Sequence, residues 1–151
     1  MIDDKSLEIL KILQEKARIP NVEVSRQVGL APSAVLERIR KLEKNGIIDG
    51  YEVRLNPEQF DKGQIAFIQI QTNCGGEEFD LIGEHLSQLP EIQEVHYTTG
   101  DDGYFVKVRV KDSRELGELL RTRITTLSGV AATRTITVMH TVKETSKIPI
   151  C

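Results

Sequence analysis

The chain contains no tryptophan, four phenylalanines, three tyrosines and two cysteines, and these scarcities restrict its class before any motif is read. Cys74 stands beside Gly75 and Cys151 ends the sequence, so there is no Cys-x-x-Cys pair and no disulfide framework; reduced thiols and a cytoplasmic setting are expected. His85, His96 and His140 are scattered, with no Cys or carboxylate at metal-ligand spacing, so neither a metal nor a cofactor is expected. A phosphate-cradling glycine loop is missing too, and Asp101 and Asp102 are adjacent, a poor layout for acid/base carboxylates; no enzymatic chemistry is indicated. Apolar runs such as IAFI (65–68) fall far short of the roughly 18–20 residues that span a bilayer. The start, MIDDKSLEILKIL, is acidic where a signal peptide needs positive charge, so no membrane role is expected. Finally, a net charge of -3 is unsuited to coating nucleic acid indiscriminately.

The charge is unevenly spread. From Val24 to Lys44 the chain carries Arg26, Arg38, Arg40, Lys41 and Lys44 against Glu37 and Glu43. This stretch sits inside a helical region. Apolar residues at helical spacing after Asp3 and Asp4 predict a helix over 4–17, stopped by Pro20. Asn21 is placed to cap a short second helix that ends at Gly29, and a third helix begins at Pro32 and runs to Asn45, closed by Gly46. At about 100° per residue, Val35, Ile39 and Leu42 form one apolar stripe. Ser33, Glu37, Arg40, Lys41 and Lys44 fall on the opposite face, with Arg38 on its flank. Helix, tight glycine turn and basic outer helix form a helix-turn-helix pattern, and IIDGYEVRL after Gly46 reads as a hairpin or extended strand that makes it a winged variant. A solvated face on an ordinary small bundle would show similar periodicity; the Gly29-Leu30 turn, Pro32 and the local basic excess favour DNA.

Beyond Asn56-Pro57 the pattern changes. IAFIQIQT (65–72) reads as a strand, FDLIGEHLSQL (79–89) as a helix stopped by Pro90, IQEVHYTT and GYFVKVRV as two strands around Gly100 to Gly103, the segment from Asp112-Ser113 to Gly129 as a helix, and TRTITVMHTV as a last strand. That βαββαβ order is the ferredoxin-like layout, two helices on one face of a four-stranded antiparallel sheet. Alternation places Val106, Val108 and Val110 on one face of the third strand and Ile136 with Val138 on one face of the last. The opposite sheet face is expected to carry Phe67, Phe105, Met139, Lys107 and several threonines, a mixture suited to a sheet-against-sheet dimer. The expected architecture is α+β: a winged helix-turn-helix domain over 1–50, a linker strand and hinge over 51–63, and a ferredoxin-like domain over 64–151.

These motifs together resemble the Lrp/AsnC family of prokaryotic transcription regulators. The resemblance runs through ILKILQEKAR (9–18), VGLAPSAVLERIRKLEKNGIIDGY (28–51), LNPEQF (55–60), YTTGDDGYFVKV (97–108) and GVAATRTITVM (129–139). It implies that the second domain is a RAM module, a ferredoxin-like ligand-binding and oligomerisation domain, and that dimers assemble further, to an octamer. The chain departs from the family in having Ser6 where a second aspartate is usual, so a somewhat different cap on helix 1 is expected, and Ala31 where a capping serine is common.

The expected DNA-contacting residues are Ser33, Ala34 and Glu37 at base edges, with Arg38, Arg40, Lys41 and Lys44 on guanine or phosphate. The expected effector is an amino acid. Its site is assigned to Tyr97, Thr98, Thr99, Gly100, Asp101 and Asp102, whose carboxylates suit an ammonium group and whose hydroxyls and backbone donors suit a carboxylate. The resemblance adds Thr133 and Thr135. The same loop is also ordinary hairpin chemistry. Two other functions remain open: an architectural DNA-organising protein without a small-molecule switch, and an enzyme resembling the haem-pathway decarboxylases of similar two-domain plan.

Overall fold

The computed structural model describes residues 1–100 and 102–150. Its contacts divide the chain into two compact units, residues 1–54 with 144–151, and residues 55–143. The sequence-based boundary kept the C-terminal tail with the second domain. By contact the tail packs on the first: the Gln14 amide donates to Ile148 O at 2.9 Å and accepts from Ile148 N at 2.8 Å, and Lys147 pairs with Glu15.

The first unit holds α1 (Asp4–Glu15), α2 (Asn21–Val28) and α3 (Pro32–Lys44). Ile9, Val24, Val28, Val35 and Ile39, from the apolar stripes of the helices, and Ile19, from the connection between α1 and α2, close its core. Helix α1 is shorter than expected, and Asn21 does not cap α2: it is already helical, the cap position belongs to Pro20, and no side chain bonds the first turn. After Gly46 the expected hairpin or strand is absent among the described residues. Tyr51, Val53 and Leu55 alternate as a strand would, yet all three are exposed and lack a neighbouring strand to bond with.

The second unit begins with a short 3-10 turn, Pro57–Phe60, and continues β1 (Gln64–Thr72), α4 (Gly76–Ser87), β2 (Ile92–Thr98), β3 (Gly103–Val110), α5 (Ser113–Leu119), a π-helical turn (Leu120–Ile124) and β4 (Val130–Thr137). The strands lie in the order β2-β3-β1-β4, all neighbours antiparallel, which is the expected ferredoxin-like topology. Ala66, Ile68, Ile70, Val106, Val108 and Val110 meet Ile82, Leu86, Leu116, Leu119 and Ile124 in its core.

Strand β4 corrects the sequence reading twice. It starts at Val130 rather than Thr133 and stops at Thr137 rather than Val142, because its span is set by β1, which pairs with it from Ala66 to Thr72. Its faces are also reversed. Ile136 pairs with Phe67 on the uncovered face, while Thr133 and Thr135 pair with the buried Ile70 and Ile68 on the helix-covered side. A single strand's alternation tells which residues share a face but not which face is buried, and here the partner's register decides. Met139 lies beyond the strand and is exposed.

Candidate functional site

Helix α3 is bracketed by two glycines in left-handed conformation. Gly29, at φ 72°, ends α2 and lets Leu30 N–H return to Ser25 O at 3.1 Å, so the chain turns within a few residues into Pro32, whose ring favours the first helical turn. At the far end Gly46, also at φ 72°, donates to Glu43 O at 3.0 Å while Ile47 N–H donates to Leu42 O at 2.9 Å, the paired closure that satisfies the last carbonyls. Ala31 occupies the cap position and offers no side-chain bond, as the Ala-for-Ser departure implied.

Val35, Ile39 and Leu42 are buried at 0%, 7% and 5% exposure, so the expected stripe does hold α3 to its unit. Ser33, Glu37, Arg40, Lys41 and Lys44 are exposed and Ala34 is half-buried. Among the described residues, no hydrogen bond or ion pair engages the side chains of Arg40, Lys41 or Lys44. Arg38 differs. Its guanidinium is half-buried and donates to Asp3 at 2.7 Å and to Ser6 Oγ at 3.2 Å. That guanidinium, with the Ser6 N–H, holds the Asp3 carboxyl down to about 2. Helical spacing marks Asp3 only as a helix cap, and no periodicity signals a pairing between residues this far apart in the chain. Asp3, Ala34, Glu37, Arg38 and Lys41 border an open cleft of about 400 Å³ along the side of α3.

The expected effector residues spread over the sheet, with Tyr97 and Thr98 on one edge strand, Thr133 and Thr135 on the other, and Asp102 between them at the end of β1. Tyr97, Tyr104, Ile70 and Thr133 are successive partners in a row across β2, β3, β1 and β4. Three strand spacings, about 14 Å, therefore separate Tyr97 from Thr133. Tyr97 is 71% exposed and packs edge-on against Phe79 at 5.1 Å between ring centroids. Thr98 ends β2, and Thr99 and Gly100 form the turn, with Gly100 at φ 104°. Asp102 O accepts from Thr72 N at 2.8 Å, tying the loop to the end of β1. Asp101 lies outside the described residues. Among the described residues no cluster of His, Cys, Asp or Glu is arranged to hold a metal ion, and no helix is long and apolar enough to cross a membrane.

The uncovered sheet face carries a stacked pair, Phe67 and Phe105, with centroids 5.6 Å apart and planes 7° from parallel. Ile136 stands opposite Phe67 and is 53% exposed. Beside them Glu94 bonds His96 at 2.9 Å and pairs with Lys107 at 3.6 Å, while Arg134, opposite Gln69 on the same face, is exposed.

A three-helix unit with a free cationic helix face, joined to a ferredoxin-like unit, defines the class of two-domain transcription regulators that read DNA with a helix-turn-helix. Known proteins share this plan over the whole chain. Residues 2–49 match the family described as winged helix-turn-helix DNA-binding, and residues 65–148 match the Lrp/AsnC ligand binding domain. The leucine-responsive regulatory protein of Escherichia coli K12 is 40% identical over 150 residues, covering 99% of this chain and 92% of that protein. A transcriptional regulator of Neisseria meningitidis in complex with L-methionine has a TM-score of 0.94 at 28% identity, covering 99% of this chain and 97% of its own. The feast or famine regulatory protein of M. tuberculosis complexed with L-methionine has a TM-score of 0.90 at 29% identity, with 100% of both chains covered. The chain belongs to the Lrp/AsnC family of transcription regulators.

Proposed function

We propose that the chain binds operator DNA as a homodimer and that an amino acid tunes its assembly. The free cationic face of α3 is the observation that carries the first part. Ser33, Ala34 and Glu37, on its first turns, reach base edges, with Glu37 accepting from a cytosine amino group; Arg40, Lys41 and Lys44 hold phosphate or guanine. One such module buries only about 600–1,000 Å² on DNA, so specific affinity calls for two modules on half-sites about 34 Å apart. The apolar uncovered sheet face supports the pairing of chains, and the exposed alternation of Tyr51, Val53 and Leu55 offers a second surface for it. Further assembly of dimers, to an octamer, follows the family resemblance, as does a cytoplasmic site of action beside the nucleoid.

Salt titration tests the DNA face directly. A duplex is selected from a randomised pool by the wild-type protein, and its affinity is measured against salt. Arg40→Gln and Lys41→Gln are each expected to lower the slope of log affinity against log salt by about 0.9, the value for one lost phosphate contact. An unchanged slope in both variants removes the assignment.

The effector proposal rests on the loop Tyr97 to Asp102 and on the L-methionine complexes of the two regulators compared above. Because Tyr97 and Thr98 on β2 and Thr133 with Thr135 on β4 lie on opposite edge strands of one sheet, an effector touching both strands would be held between chains. Such a ligand shifts assembly by its differential affinity for the two states. At a concentration 100-fold above its dissociation constant it stabilises the bound form by about 2.7 kcal/mol, a shift of several degrees in melting temperature. A thermal-shift screen of the twenty amino acids is expected to find one that stabilises while its enantiomer does not; equal shifts with both enantiomers, or none at all, count against the site.

A further inference from the structure

Of the four cations on α3, Arg38 alone has a side-chain partner among the described residues. Its Nη1 donates to both oxygens of Asp3, at 2.8 and 2.7 Å, and to Ser6 Oγ at 3.2 Å. The same Asp3 carboxylate accepts the Ser6 N–H at 2.8 Å, the bond that caps α1. One carboxylate thus joins the first turn of α1 to the middle of α3. Ser6 is buried at 8% exposure, whereas the Asp3 side chain is 61% exposed. With its charge offset by Asp3, Arg38 has less to offer a phosphate than Arg40, Lys41 or Lys44.

We infer that Arg38 is a positioning residue for DNA recognition: held by Asp3 and Ser6, it sets the rotation of α3 on its unit and so the aim of Ser33, Ala34 and Glu37. The apolar attraction beneath α3 is non-directional and does not by itself single out one rotation about the helix axis. A charge-assisted hydrogen bond to a carboxylate that already caps α1 adds that direction. Base-edge contacts need their side chains placed within about 0.5 Å and 10–20°, so a small rotation of the helix is enough to matter.

The inference rests on the DNA-binding reading of α3, and its test separates the two. The probe is the duplex selected from a randomised pool by the wild-type protein; failure of the wild type to select any duplex overturns that reading and the positioning role with it. Asp3→Asn retains a good cap, since asparagine caps helices as well as aspartate does, but removes the ion pair and one negative charge. The positioning role predicts that Asp3→Asn and Arg38→Gln each weaken the selected duplex by about fivefold, that the double variant is no weaker than either, and that Arg38→Lys recovers part of the loss. The salt slope stays at the wild-type value in all of them. Ser6→Ala, which removes only the hydroxyl arm, gives a smaller loss of about twofold and serves if a charge variant does not fold. If Arg38 instead touches DNA, Asp3→Asn tightens binding and Arg38→Gln lowers the slope by about 0.9. If the ion pair serves stability alone, melting temperature falls while affinity, measured where circular dichroism reports a folded chain, does not. Either of these two results overturns the inference.

Discussion

Gly103→Ala is expected to lower the melting temperature of the ferredoxin-like unit by roughly 15–30 °C, or to leave the protein insoluble. Gly103 opens β3 at φ 156°, a region that side chains other than hydrogen rarely occupy. A Cβ there would lie 1.7 Å from Ile70 O, and that carbonyl belongs to the central strand β1 and cannot swing aside as a flexible side chain could. Backbone strain and the forced separation of β1 from β3 together cost about 3–5 kcal/mol, a large part of the stability of a domain this size. Gly100→Ala, whose Cβ would meet nothing within 4 Å, bears only the strain of its φ of 104° and is expected to cost about 1–3 kcal/mol. Thermal denaturation of the two variants side by side checks the argument; equal melting temperatures would sink it.

Ile136→Asp is expected to halve the mass of the smallest stable species and to weaken operator binding about 100-fold. Ile136 is 53% exposed and lies on the uncovered sheet face opposite Phe67, where a partner sheet would bury it. A carboxylate buried in that interface carries a desolvation cost that Arg134, exposed on the same face, offsets only in part, whereas Glu94 is already paired with Lys107. Losing the partner turns a two-point grip on DNA into a single weak contact, which is the source of the large factor. Light scattering reads the mass and a gel shift reads the affinity. A variant that remains folded, keeps its mass and binds as before would show that another surface joins the chains. Phe67→Asp should act in the same direction.

Much of the fold was legible because its signals are local. The α3 stripe of Val35, Ile39 and Leu42 repeats at helical spacing, and the two glycines that bracket the helix need no distant partner to turn the chain. Alternation in GYFVKVRV gave β3 at its observed bounds, Gly103–Val110. Apart from the cap of α2, the failures concern partners remote in sequence. Ile136 and Thr135 exchanged faces because the register with β1, not the composition of β4, decides which side the helices cover. Asn21 was a plausible cap, but the helix had already begun, and Pro20 holds the cap position. Arg38 looks like its neighbours in the sequence, yet it alone meets a carboxylate from the start of the chain.

The sequence by itself determined a basic helix set on a small bundle, followed by a βαββαβ domain, because hydrophobic period and turn residues act over a few positions and survive without any knowledge of packing. Tertiary structure alone decided which α3 cations have no partner among the described residues and how the loop residues and the strand threonines are distributed. The strand order β2-β3-β1-β4 puts Tyr97 and Thr133 on opposite edges, and an ion pair spanning 35 residues withdraws Arg38 from the unpaired set. Both depend on which remote segments come to lie within a few ångströms of each other, and the chain's local patterning carries no record of that.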